Sequence, residues 1–211
     1  MAIDEALARA FRIPTFRIYT WKRPSLSLGY SQMVSHVLNF LGMEEGQVDI
    51  VRRPTGGQAV LHDGGPSYSL VMSEPHHLSS QAITSFYHLL GRSIRGALES
   101  VGVTARLSTG GGQGNSPLCV ASILPGDVLY DGRKVAGFAA RRSQGVTLLQ
   151  GYLVLKEGLI LDELVAAMVK ALEMEVAVRF VESPFSEEEE ALALRLREEK
   201  YSRREWNYKR P

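Results

Sequence analysis

The pair Asp131–Gly132 constrains this chain more than any other feature. It falls between two apolar, β-forming stretches in DVLYDGRKVAGFAARR, residues 127–142. Asp-Gly readily takes the two positive-φ conformations of a two-residue turn, so the flanking stretches are predicted to pair as an antiparallel hairpin. Further β-forming segments are predicted at 16–21, 25–29, 49–53, 59–63, 66–72, 105–109 and 146–155. The turn residues Gly64, Gly65 and Pro66 suggest a second hairpin, joining 59–63 to 66–72. Helical periodicity marks the N-terminal segment through Ile3, Ala6, Leu7 and Ala10, then 35–42, 80–102 and 161–174. The 80–102 segment carries one apolar stripe of Ile83, Phe86, Tyr87, Leu90, Ile94 and Leu98. A last helix begins at Ser186, acidic in its first turn and basic near its end, in keeping with the helix dipole. No βαβ repeat is visible. The expected fold is α+β, a mixed, mainly antiparallel sheet flanked by helices. The expected organisation is one domain over 1–183, with 184–211 as a C-terminal helical extension packed on it.

Charge excludes some functions. With 24 Lys+Arg against 23 Asp+Glu the net charge is +1, which gives no overall attraction to nucleic acid or a membrane surface. Arg52–Arg53 and Arg141–Arg142 are two small basic candidates. The single cysteine, Cys119, rules out a fold held by intramolecular disulfides. Neither a signal sequence nor a run of about 18 apolar residues is present, so a cytoplasmic protein is expected. No metal site is expected.

The candidate functional loop is RRPTGGQAVLHD, residues 52–63. Gly56 and Gly57 let backbone N–H groups approach a ligand without a Cβ in the way. Adjacent guanidiniums suit a phosphate or carboxylate. Thr55 offers a hydroxyl, and His62 can shuttle a proton or orient a substrate. The bland alternative is a glycine turn with two solvated arginines and a surface histidine. The crowding of all these groups into twelve positions favours a ligand loop. It is neither a Walker loop nor a dinucleotide fingerprint. Cys119 follows Pro117 and the glycine-rich GGGQGN, which suits the rim of a pocket; a buried core thiol is the alternative. Lys134 is either a solvent-facing residue at a hairpin tip or a cation that grips a substrate oxygen and activates Cys119.

Several segments together resemble the lipoate–protein ligase and octanoyltransferase superfamily, which also includes biotin–protein ligases. They are MAIDEAL (1–7), SLSLGYSQ (25–32), RRPTGGQAVLHD (52–63), YSLVM (68–72), the Cys119 segment, DGRKVAGFAARR (131–142) and KYSRREWN (200–207). The spacing from Cys119 to Lys134 is similar to that of the cysteine-dependent octanoyltransferases. The resemblance implies a biotin/lipoyl protein ligase catalytic-domain fold. It implies an octanoyl group taken from acyl carrier protein onto Cys119 as a thioester, then passed to a lysine of a lipoyl domain or a glycine-cleavage H-type protein. Lys134 would hold the acyl carbonyl. Arg53, Thr55, Gly56, Gly57, Ala59, His62 and Gly137 would bind the substrate. No cofactor is implied, ATP included, and a monomer is the expected state. Three features depart from the family pattern. Gly137-Phe138-Ala139-Ala140 replaces the usual Gly-Ser-Ala-Gln, Leu149-Gln150-Gly151 replaces Gln-His-Gly, and no strand precedes the first helix. Two other readings are an ATP-dependent lipoate–protein ligase with Cys119 as a bystander and a non-catalytic acyl- or lipoyl-domain-binding protein.

Overall fold

The computed structural model describes residues 1–11, 13–73, 83–154 and 159–210. Helix α1 (Ala2–Arg9) leads to strands β1 (Thr15–Tyr19) and β2 (Ser25–Leu28), helix α2 (Val34–Leu41), then β3 (Asp49–Arg52), β4 (Val60–His62) and β5 (Ser67–Ser73). Helix α3 (Ile83–Ser100) is followed by β6 (Arg106–Leu107), β7 (Gly112–Gln113), a 3-10 turn at Cys119–Ala121, β8 (Ser122–Ile123) and β9 (Val128–Tyr130). Strands β10 (Arg133–Ser143) and β11 (Val146–Leu153) precede α4 (Leu161–Val176), α5 (Glu187–Leu196) and α6 (Arg204–Asn207). Residues 80–82 of the expected long helix and residue 155 of the expected last strand lie outside the described residues.

The main sheet has six strands in the order β1-β5-β11-β10-β9-β6, with every neighbouring pair antiparallel. A second sheet, β3-β2-β4, is mixed: β2 runs parallel to β3 and antiparallel to β4. The expected mixed, mainly antiparallel α+β fold is the one observed. Asp131 and Gly132 take φ of 49° and 72°, the positive values that close the β9–β10 hairpin. Gln144 and Gly145, at 50° and 74°, do the same between β10 and β11.

One expected hairpin does not form. β4 pairs with β2 in the small sheet, whereas β5 lies in the large sheet between β1 and β11. With both edges of β5 taken, β4 has no place beside it. Gly65 makes the crossing possible, because a Cβ there would lie 2.0 Å from the Leu153 carbonyl oxygen.

Helices α3 and α4 cover one face of the large sheet. Phe86, Leu90, Ile94 and Leu98 of α3 meet Leu164, Met168 and Leu172 of α4 over Leu70, Met72, Phe138 and Leu149. Burying each such side chain contributes about 1.5–3 kcal/mol. Leu7 of α1 packs on Val71 and Leu148, and α2 packs on the small sheet through Val34, Val37 and Leu38. The C-terminal helices return to α1, where Glu5 accepts from Arg9, Lys200 and Tyr201. Among the described residues no helix is long and apolar enough to cross a membrane.

Candidate active site

The loop between β3 and β4 is a bracket for the Cys119 segment. Ala59 N–H donates to Pro117 O at 2.9 Å, and Cys119 N–H donates back to Ala59 O at 2.8 Å. Gln58 Nε2 holds Ser116 O at 2.8 Å, and Gln32 Nε2 holds Pro117 O at 2.9 Å. Cys119 is therefore fixed on both sides while its side chain stays half-buried.

Lys134 reaches the same place from β10. The β9–β10 register slips between Lys134 and Ala136, a bulge of the kind that re-aims a side chain. Lys134 turns inward and is only 6% exposed. Its Nζ lies 3.4 Å from Cys119 Sγ, 2.9 Å from Ser122 O and 2.7 Å from Asp127 Oδ2. Gly137 leaves room for it: a Cβ there would lie 2.4 Å from Lys134 Cε. Asp127 also accepts from Leu124 N–H at 2.7 Å. Burial raises the Asp127 carboxyl above its ordinary range and outweighs the opposing pull of Lys134.

A cavity of about 40 Å³ opens beside the sulfur. Cys119, Arg53, Gly57, His62, Gly137 and Tyr152 share its wall, as does the Met1 side chain. Thr55, Gly56 and Ala59 stand behind the wall. Thr55 Oγ1 donates to Gln150 Oε1 at 2.8 Å, and Gln150 Nε2 donates to buried Asp4 at 2.7 Å. The amide at position 150 thus ties the loop to α1 and is fully engaged.

The arginines are not a basic patch, and neither offers a free fork to an anion. Arg52 is 0% exposed and gives its guanidinium to the carbonyls of Gly29, Tyr30, Gln32, Trp206 and Asn207 at 2.7–3.3 Å. Arg53 donates to Ser27 O, Ser27 Oγ, Gly56 O and Gln58 O at 2.8–3.0 Å. Both guanidiniums hold backbone. Arg53 alone also faces the cavity.

His62 is clamped. Its ring stacks on Trp21 with centroids 4.2 Å apart, and its nitrogens meet Ser27 Oγ at 2.7 Å and Ser67 Oγ at 3.2 Å. Ser27 Oγ already accepts from Arg53, so its own hydrogen goes to His62 Nε2. Ser67 Oγ accepts from Trp21 Nε1, which leaves it to accept from His62 Nδ1–H as well. Burial foremost, then the Arg53 charge, lower the imidazole to about 3. His62 is neutral at physiological pH, with both ring nitrogens held by serine hydroxyls. The unfolded chain protonates this ring near 6.5 and the folded chain only near 3. Stability is therefore expected to fall as the pH drops through that window, by up to about 1.4 kcal/mol per unit from this residue. His62→Gln should flatten the slope between about pH 6 and 4 in urea melts. An unchanged slope would mean that His62 takes up its proton while folded.

The sequence reading missed Asp127, Ser27, Ser67, Trp21 and Tyr152. Asp127 offered one signal, a carboxylate entering the apolar strand opposite Lys134. Ser27, Ser67 and Tyr152 are ordinary strand residues and Trp21 lies just past β1; their places come only from the packing of distant segments.

Comparison with known proteins assigns the family. The model of the lipoyl protein ligase A/B catalytic domain matches residues 1–187. The chain belongs to that family. It is 34% identical to an octanoyltransferase LipM of Halalkalibacterium halodurans over 74% of this chain and 60% of the relative. It is 30% identical to an octanoyltransferase LipM of Carboxydothermus hydrogenoformans over 99% of this chain and 93% of the relative. The chain thus spans about 60% of the length of the first of these relatives. Among solved structures, lipoate-protein ligase A bound with ATP superposes with a TM-score of 0.79 at 26% identity, covering 98% of this chain and 92% of that one. Cys119 and Lys134 both fall within the matched domain.

Proposed function

We propose that this chain is an octanoyltransferase that carries the acyl group on Cys119. The observation that carries the reading is the 3.4 Å approach of Lys134 Nζ to Cys119 Sγ at the wall of a cavity. The donor is an octanoyl thioester on acyl carrier protein. The acceptor is a lysine of a lipoyl domain or a glycine-cleavage H-type protein.

Cys119 sulfur attacks the donor carbonyl carbon. A carbon–sulfur bond forms and the carbonyl π pair moves to oxygen. When the pair returns, the donor carbon–sulfur bond breaks, and the departing thiol takes the proton that Cys119 gave up. The acceptor amine then attacks the same carbon. A carbon–nitrogen bond forms, the bond to Cys119 breaks, and the surplus amine proton restores the thiol. The first step trades one thioester for another and is nearly balanced. The second makes an amide and runs downhill. Splitting the transfer replaces one hard step with two easier ones. Lys134 places positive charge beside the sulfur and the reacting carbon, and Asp127 fixes that charge in place. The cavity is large enough for only a few water-sized groups at about 10–15 Å³ each. An eight-carbon tail therefore needs part of the wall, Met1 included, to move aside.

An ATP-dependent ligase is the second reading, favoured by the likeness to an ATP-bound ligase structure. It leaves Cys119 without a task. A non-catalytic protein is the third, motivated by Phe138 and Gln150. Phe138 packs against Tyr87 and Tyr68 with ring centroids 5.6 and 6.3 Å apart, and Gln150 is hydrogen-bonded at both ends of its amide. Neither residue takes the place of Cys119 or Lys134. The test supplies octanoyl carrier protein and a lipoyl domain without ATP. Octanoyl-lysine on the acceptor is the expected product. Acylation that appears only with ATP and free fatty acid would establish the ligase instead.

A further inference from the structure

Acyl transfer through Cys119 builds negative charge on one oxygen in each step, and that oxygen needs hydrogen-bond donors already in place. Most donors at the site are spent. A lysine ammonium has three N–H bonds, and those of Lys134 reach Asp127, Ser122 O and Cys119 Sγ. The Cys119 amide is committed to Ala59 O at 2.8 Å. The terminal nitrogens of Arg53 hold four protein acceptors.

Tyr152 is different. It lines the cavity with Cys119, is 5% exposed, and its hydroxyl has no hydrogen-bond partner among the described residues beyond the Cys119 sulfur beside it, a weak acceptor. A buried hydroxyl with no stronger acceptor than a thiol costs stability and can turn to a better acceptor that enters the cavity. Across the β10–β11 ladder Tyr152 opposes Gly137, the residue over which the Lys134 stem passes. The Cys119 sulfur lies close enough to act on the phenol. Burial foremost, then that sulfur, push the phenol's pKa up, so it keeps its proton. Tyr68 carries another idle buried hydroxyl, but it lies against Gly151 and is not part of the cavity wall.

We infer that Tyr152 is a further catalytic residue, whose hydroxyl donates to the acyl carbonyl oxygen on Cys119 and to the oxyanion formed there. This rests on the acyl-transfer reading above. The phenol stays protonated throughout. As carbon–sulfur or carbon–nitrogen bond formation drives the π pair onto oxygen, the Tyr152 hydrogen bond strengthens; it relaxes when the pair returns and the leaving sulfur departs.

Tyr152→Phe removes only the oxygen, so it tests the inference with little change of shape. The rate of Cys119 loading from octanoyl carrier protein, followed by quenched intact mass, is expected to fall about 10²-fold. The thermal midpoint should hold or rise, because an unsatisfied buried group has gone. Slowing of less than about tenfold overturns the inference. A larger slowing with a lowered midpoint also overturns it, since that is the mark of lost packing. If the unaltered protein takes no acyl group from the donor, the acyl-transfer reading fails first and this inference falls with it.

Discussion

Lys134→Ala is expected to cost about 3–5 kcal/mol of stability and to slow acyl loading by about 10³-fold. The stability loss comes from Asp127. Both side chains of the pair are buried, at 2% and 5% exposure, and Nζ sits 2.7 Å from the carboxylate. Without the ammonium the carboxylate must stay charged in a poorly solvated place or take up a proton. Burial already raises its pKa in the intact pair. In the variant the folded-state pKa rises further, so the folded state binds more protons than the unfolded state above the ordinary carboxylate range. The penalty is therefore largest at neutral pH and shrinks as the pH falls toward 4. Adding Asp127→Asn to Lys134→Ala should restore much of the stability and none of the activity. Denaturant melts of the single and double variants at two pH values check the stability, and intact mass after incubation with octanoyl carrier protein checks the activity. A single variant as stable as the parent at neutral pH contradicts the account.

Cys119→Ala is expected to show the reverse pattern. Transfer to the acceptor should fall by about 10⁴-fold or more, because the nucleophile itself is gone. Stability should change by no more than about 1 kcal/mol, since a half-buried thiol is exchanged for a methyl group in a segment held by backbone bonds. Lys134 separates activity from folding poorly, whereas Cys119 separates them cleanly.

Local signals carried much of this fold. The apolar stripe of α3 from Phe86 to Leu98 and the Asp131–Gly132 turn are set by neighbouring residues, and both are present as expected. The hairpin expected between β4 and β5 failed because strand partnership is decided by residues far along the chain. The loop at 52–63 was legible as a unit, and the face each residue turns was not. Arg52 and Arg53 are adjacent, so they point to opposite sides of the strand end. One clasps the C-terminal helix through Trp206 O and Asn207 O, and the other meets the cavity. The burial of Lys134 depends on a bulge that no local pattern announces. By residue type alone His62 suits either shuttling a proton or orienting a substrate. Its environment, serines of β2 and β5 and a tryptophan just past β1, keeps the ring neutral.

The central claim is that the acyl group travels through Cys119 without ATP. Intact-protein mass after incubation with octanoyl carrier protein alone tests it most directly. The account predicts a gain of one octanoyl unit that hydroxylamine removes and that Cys119→Ala does not acquire. An unmodified protein under these conditions, or an adduct that persists in Cys119→Ala, contradicts it.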